Sequence, residues 1–134
     1  MLDIIKKYCA VFLMTTVLTG CRGHESYQYY ATHAKAMVTK LKACRALPAQ
    51  EASTSLACMN ANNAYHDTEL LYRDLTSDPQ AFGQTILQAE AQLITLRSAI
   101  AVATPADKPA AKQAINAQRE LIDRYLAVAK EAGE

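Results

Sequence analysis

Four cysteines and three histidines are the residues of this chain best equipped for chemistry, and their spacing limits what they can do. Cys9, Cys21, Cys44 and Cys58 are far apart, so none forms the close CxxC pair of a thiol redox site. His66 and Glu69 stand one helical turn apart with Asp67 between them, and His33 could add a third ligand only from another helix. A zinc site takes three or four such ligands, so "HDTE" reads as a solvated helix face. His24 sits in a short polar stretch and should be mobile. No Gly-rich phosphate loop, GxSxG elbow or HExxH pair occurs in the sequence. The expectation is therefore no catalytic residue, no metal, no cofactor and no small-molecule substrate. That leaves binding, and the question of what Cys21 does at the end of "VFLMTTVLTGC": buried thiol, half of a disulfide, or attachment point.

The segment around Cys21 bears on that question. Lys6 and Lys7 precede an uncharged run from Tyr8 to Gly20. The run is 13 residues long, short of the roughly 20 that a helix needs to cross a bilayer. A short basic start, an apolar run of this length and small residues at its end describe a secretory signal peptide. A buried amphipathic helix would need a polar opposite face, which the run lacks. Leu18-Thr19-Gly20-Cys21 resembles the lipobox of bacterial lipoproteins. That resemblance implies removal of residues 1–20, acylation of Cys21 and a lipidated tether over residues 21–26. Each buried methylene contributes about 0.8 kcal/mol, and two or more acyl chains anchor a protein stably where one binds marginally.

The chain carries 14 Lys+Arg and 13 Asp+Glu. Cleavage after Gly20 removes Lys6, Lys7 and Asp3, leaving 12 of each sign, interspersed. No basic stripe remains to hold phosphate backbones, which argues against nucleic acid, and none to reinforce the membrane contact beyond the anchor. With Cys9 cleaved and Cys21 acylated, Cys44 and Cys58 remain. In an oxidising compartment two such thiols are expected to pair, closing a loop of 15 residues. Chain entropy puts that closure at about 3 kcal/mol of stability.

Helical periodicity organises the rest. Ser26 is a candidate N-cap, and Tyr27, Tyr30, Ala34, Met37, Leu41 and Cys44 step by three and four along one face. Pro48 closes this helix, "PAQEASTS" is a loop, and Ser53, Thr54 or Ser55 caps the next helix. There Cys58, Ala61, Tyr65, Thr68, Tyr72 and Leu75 form the stripe. Both cysteines fall at the loop end of their helices, so an antiparallel hairpin brings them together. Asp78 and Pro79 open a third helix in the favoured cap-then-proline order. Phe82, Ile86, Ala89, Leu93, Leu96, Ile100 and Ala103 give it unbroken heptads. Asp107 is a candidate cap for a fourth, with stripe residues Ala111, Ile115, Ile122, Tyr125 and Ala129, Gln118 in one slot, and Leu121 and Val128 widening it. "AVAKEAGE" should fray.

The expected fold is all-α: two antiparallel helical hairpins made of four helices, the first closed by a Cys44–Cys58 disulfide. It divides into a disulfide-stapled hairpin over 27–76 and a C-terminal hairpin over 78–134, packed as one small bundle or laid end to end. Tyr27, Tyr29, Tyr30, Tyr65 and Tyr72 crowd the first hairpin. Tyr30, Tyr65 and Tyr72 are expected to fill core. Tyr29 points elsewhere and is the better candidate for a contact surface, since tyrosine suits half-dry, half-hydrogen-bonded sites. Asn60, Asn62 and Asn63 are weak helix formers that either present amides to a partner or cap and fray the start of the helix.

A lipobox, then "SYQYYATH", a helix ending "KLKACRALP" and the run "CMNANNA" together resemble the EexN-type entry exclusion lipoproteins of conjugative plasmids. The matching positions are Tyr29 and Tyr30, Cys44, Pro48, Cys58, Asn60, Ala61 and Ala64. The likeness covers about residues 10 to 65. Cys44 and Pro48 are separated by three residues where the pattern has two, and Ala57 replaces an Asn that often precedes the second Cys. Residues 78–134 look like an extension. The resemblance implies a protein partner in a mating or secretion (type IV) apparatus, and the surface expected to meet it lies on the first hairpin with Tyr29, Tyr30, Asn60, Asn62 and Asn63. It also implies a cell-envelope address with the protein in the periplasm. Arg22 after the anchor is not the aspartate of inner-membrane retention, which favours the outer membrane. The competing expectation is an accessory or structural envelope lipoprotein that docks onto another complex through its C-terminal hairpin.

Overall fold

A computed structural model describes residues 25–133, and every regular element among them is helical. The expected signal peptide with Cys9, the expected acylation site at Cys21 and the tether up to His24 lie outside the described residues. The helices are α1 (Tyr27–Thr32), α2 (Ala34–Arg45), α3 (Ala49–Thr54), α4 (Leu56–Ser77), α5 (Pro79–Val102) and α6 (Lys108–Ala132). No helix among the described residues is long and apolar enough to cross a membrane. Cys44 and Cys58 are joined, with Cα atoms 5.8 Å apart.

Among the described residues six helices stand where the periodicity suggests four. The first expected helix breaks at His33, whose φ of −132° and ψ of 75° leave the helical region. Thr32 and His33 compete locally for backbone acceptors: the Thr32 hydroxyl donates to the Gln28 and Tyr29 carbonyls, and His33 Nδ1 lies 2.9 Å from the Tyr29 carbonyl. Such side-chain bonding offers the chain an alternative to continuing the ladder. The apolar stripe nonetheless stays in phase across the break, for Tyr30, Met37 and Cys44 are buried and Tyr27, Ala34 and Leu41 half-buried. The second departure is α3, a short helix inside the expected loop. It is made of good helix formers, Ala49, Gln50, Glu51 and Ala52, but buries no residue, so it leaves no stripe to read. Ser55 then caps α4 by accepting from the Cys58 amide.

The core gathers Tyr30, Ala31 and Met37 from α1 and α2 over Ala61 and Ala64 of α4, both fully buried. This overturns the expectation for Tyr65 and Tyr72, which are 39% and 49% exposed. The alanine flank of α4 lets α1 approach more closely than a tyrosine flank would, so the helix turns Ala57, Ala61 and Ala64 inward and its tyrosines out. α5 starts one residue after α4 ends: Asp78 Oδ1 accepts from the Ala81 amide, and Pro79 takes the first helical position. α6 then returns antiparallel along α5. Phe82 meets Tyr125 edge-on at 5.4 Å between ring centroids, and Ala89 meets Gln118, whose amide donates to the Ala89 carbonyl at 2.9 Å. Seven residues forward on one helix match seven back on the other, which fixes the register. Asp107 does not cap α6 with its side chain, because its carboxylate accepts from the Thr104 hydroxyl instead. Nor does the end of α6 fray before Ala132: Val128, 3% exposed, is packed where α6 reaches α1 and α4.

Candidate functional site

Ser26 starts α1 by accepting from the Tyr29 amide at 3.1 Å. That cap fixes the phase of the next turn and so the directions of three tyrosines. Tyr30 turns into the core at 3% exposure, so of the five residues proposed for partner contact it is the one withdrawn from the surface. Tyr29 stays half-buried, its ring stacked on His33 at 4.3 Å between centroids and edge-on to Tyr30 at 5.7 Å. The stacked pair forms one wall of an open cleft of about 750 Å³ between α1, α2 and the end of α6, with Lys35, Lys40, Lys130 and Glu131 around it.

Lys40 donates to Glu25 Oε1 at 2.8 Å. That hydrogen bond holds the Lys40 pKa above its usual value, with partial burial working in the opposite direction. Burial likewise pushes the Tyr30 phenol up. Asn60 serves the same corner: its Nδ2 donates to the Glu25 carbonyl at 3.0 Å, tying the segment before α1 onto α4. Asn62 and Asn63 are exposed. Asn62 lines a different groove, about 530 Å³, beside the disulfide with Arg45, Leu47 and Met59. The five residues therefore do not share one surface. Tyr29 belongs to the lysine-rimmed cleft, Asn62 to the disulfide groove, and Asn60 to the internal tie.

His33 is engaged with Tyr29 and Thr32, while His66 and Glu69 are exposed on α4. Among the described residues no group of three or more His, Cys, Asp or Glu side chains is placed to hold a metal ion.

The sequence reading missed a polar clasp at the junction of α1, α4 and α6. The Tyr27 hydroxyl donates to Asp67 Oδ2 and accepts from Arg124 Nη1 at 2.6 Å. Arg124 Nη1 lies 3.9 Å from Asp67 Oδ2, and the guanidinium sits 5.6 Å from the centroid of the Tyr27 ring. Close by, Gln28 Nε2 donates to the Glu120 carbonyl at 3.1 Å. Burial, joined by the bond to Asp67, raises the Tyr27 pKa against the lowering effect of Arg124. Tyr27 was legible as a stripe residue. Its hydroxyl partners were not, because 40 and 97 residues of chain separate them from it. No protein-family model, curated protein or solved structure matches this chain.

Proposed function

We propose that this chain is a membrane-anchored bacterial lipoprotein that acts in plasmid entry exclusion by binding a component of a conjugative, type IV secretion apparatus. The observation that carries the reading is the Cys44–Cys58 bond, which closes α2 onto α4. A disulfide of this kind suits an exported chain in an oxidising compartment, in keeping with a signal peptide over residues 1–20 and acylation at Cys21. Its position is the one expected from the cysteine count and from both cysteines falling at the loop end of their helices. The task is recognition rather than catalysis. Tyr29 and His33 offer an aromatic wall beside Lys35 and Lys130, a combination that suits an acidic peptide segment. Asn62 and Asn63 add amides further along α4. In this reading residues 27–76 are the recognition hairpin, 78–134 the C-terminal hairpin, and the lipid holds both at the outer membrane, where a mating channel arrives.

Expression in a recipient tests this directly: transconjugants from a donor bearing the cognate plasmid should fall, and Tyr29→Ala should restore them with the protein still folded. Unchanged transfer from every such donor ends the exclusion reading. Cys21→Ser should release the protein from membranes, and retention there refutes the anchor. A second reading, an accessory lipoprotein docking through its C-terminal hairpin, is favoured by one feature. Leu87, Ile94 and Val102 of α5 are 57%, 65% and 86% exposed. If Ile94→Lys abolishes co-purification of an envelope complex while leaving transfer counts untouched, that second reading prevails.

A further inference from the structure

α5 carries a second apolar seam that nothing among the described residues covers. Its first seam, Phe82 to Ala103, faces α6. On nearly the opposite side, Leu87, Ala91, Ile94, Ser98 and Ala101 follow the same three-four spacing, and all five are exposed. A helix apolar on two sides is matched to two neighbours, and within this 24-residue helix the outer seam runs from Leu87 to Ala101, about two heptads. The only charged residues of α5 are Glu90 and Arg97. They are opposite in sign, exposed, one heptad apart and on the same flank of the outer seam. Neither has an ion-pair partner within the described residues.

We infer that this face of α5 binds a second copy of the same chain, antiparallel, about a two-fold axis. In antiparallel helix pairs the residues on one flank meet those on the same flank of the partner helix. Glu90 therefore comes beside Arg97 of the second copy, and Arg97 beside the other Glu90. The same register sets Ile94 opposite Ala91 of the second copy and Leu87 opposite Ser98 of the second copy. Each layer pairs a large side chain with a small one, the arrangement that lets facing helices interdigitate without voids. A parallel pairing would instead set Glu90 and Arg97 against the other flank, which carries Gln88, Thr95 and Val102 and offers no countercharge. An isologous contact of this type closes at two copies. It leaves the Tyr29 cleft open and stands whether or not the chain acts in exclusion.

Two differently tagged full-length chains, one carrying Leu87→Cys and the other Ser98→Cys, are co-expressed, oxidised and run on a non-reducing gel. A covalent mixed dimer is expected, with little product when either variant is expressed alone. Absence of any cross-link, or Leu87→Cys linking to itself as well as to Ser98→Cys, overturns the inference. Both positions are exposed, so the fold should survive, and the circular dichroism spectrum checks this. In the same assay Glu90→Arg should lower the mixed product several-fold and adding Arg97→Glu should restore it. An unchanged yield across this charge series likewise overturns the proposed register.

Discussion

The guanidinium of Arg124 donates to the hydroxyl of Tyr27 at 2.6 Å across 97 residues of sequence, and Asp67 accepts from that same hydroxyl. Three helices, α1, α4 and α6, thus meet at one phenolic oxygen. The neighbouring core is lean: it holds three alanines, and among the described residues no large side chain is completely shielded. Polar closure at this point therefore carries a larger share of the joint between α6 and the first hairpin than it would over a broad apolar interface.

Tyr27→Phe removes the oxygen that serves both ions and leaves Arg124 and Asp67 3.9 Å apart. Loss of a hydrogen bond to charged partners, discounted because both ions are partly exposed, should cost about 1–2 kcal/mol in urea unfolding. A double-mutant cycle with Arg124→Met should return a coupling of at least about 0.5 kcal/mol. Strict additivity would mean the clasp does not operate in solution.

Reduction of the disulfide should be costly for the same reason. Cys44→Ser and Cys58→Ser each open the one link, so they should destabilise equally, by about 3 kcal/mol. The double variant should be no worse than either single one. Urea midpoints measured with and without a reductant check both statements, since reductant should have no effect on the variants.

Ala64 and its neighbour Tyr65 should respond oppositely to substitution. Ala64 is fully buried where α1 crosses α4, so Ala64→Leu overpacks that contact and should cost about 1–3 kcal/mol. Tyr65 is 39% exposed, and Tyr65→Ala should stay within about 0.5 kcal/mol of the parent. Thermal melts of the two variants discriminate. A larger loss at Tyr65 would place the tyrosine flank of α4 inward after all.

Alkaline pH should weaken the fold. Tyr27, Tyr30 and Lys40 all have folded-state pKa values raised above their ordinary values of 10.0, 10.0 and 10.5. A group that holds its proton more tightly when folded contributes fully below its unfolded pKa and loses that contribution as pH rises through the folded one. Stability should therefore be insensitive to these groups at neutral pH and decline above about pH 10. Absorbance titration should show two phenols ionising later than the others, and Tyr27→Phe should remove one of them.

How much of this was legible beforehand depends on the range of the interaction. Ser26 as a cap, the Tyr27-to-Cys44 stripe, the Asp78-Pro79 start and the two seams of the α5–α6 pair could all be read from residues three or four apart. The Cys44–Cys58 pairing followed because both cysteines fall at the same end of their helices. His33 escaped notice because its bonds with Thr32 and Tyr29 break the ladder without disturbing the apolar phase. The outward turn of Tyr65 and Tyr72 escaped because two adjacent flanks of α4 carry apolar residues, and only the closeness of α1 selects the alanine one.

The sequence by itself determined an all-helical chain with a disulfide at the turn, since helix periodicity, caps and cysteine placement are written in neighbouring residues. Tertiary structure alone decided which flank of α4 is buried, which of the tyrosines and asparagines reach the surface, and that Tyr27, Asp67 and Arg124 converge. Those outcomes depend on how closely helices distant in sequence can approach one another, and no local pattern encodes that distance.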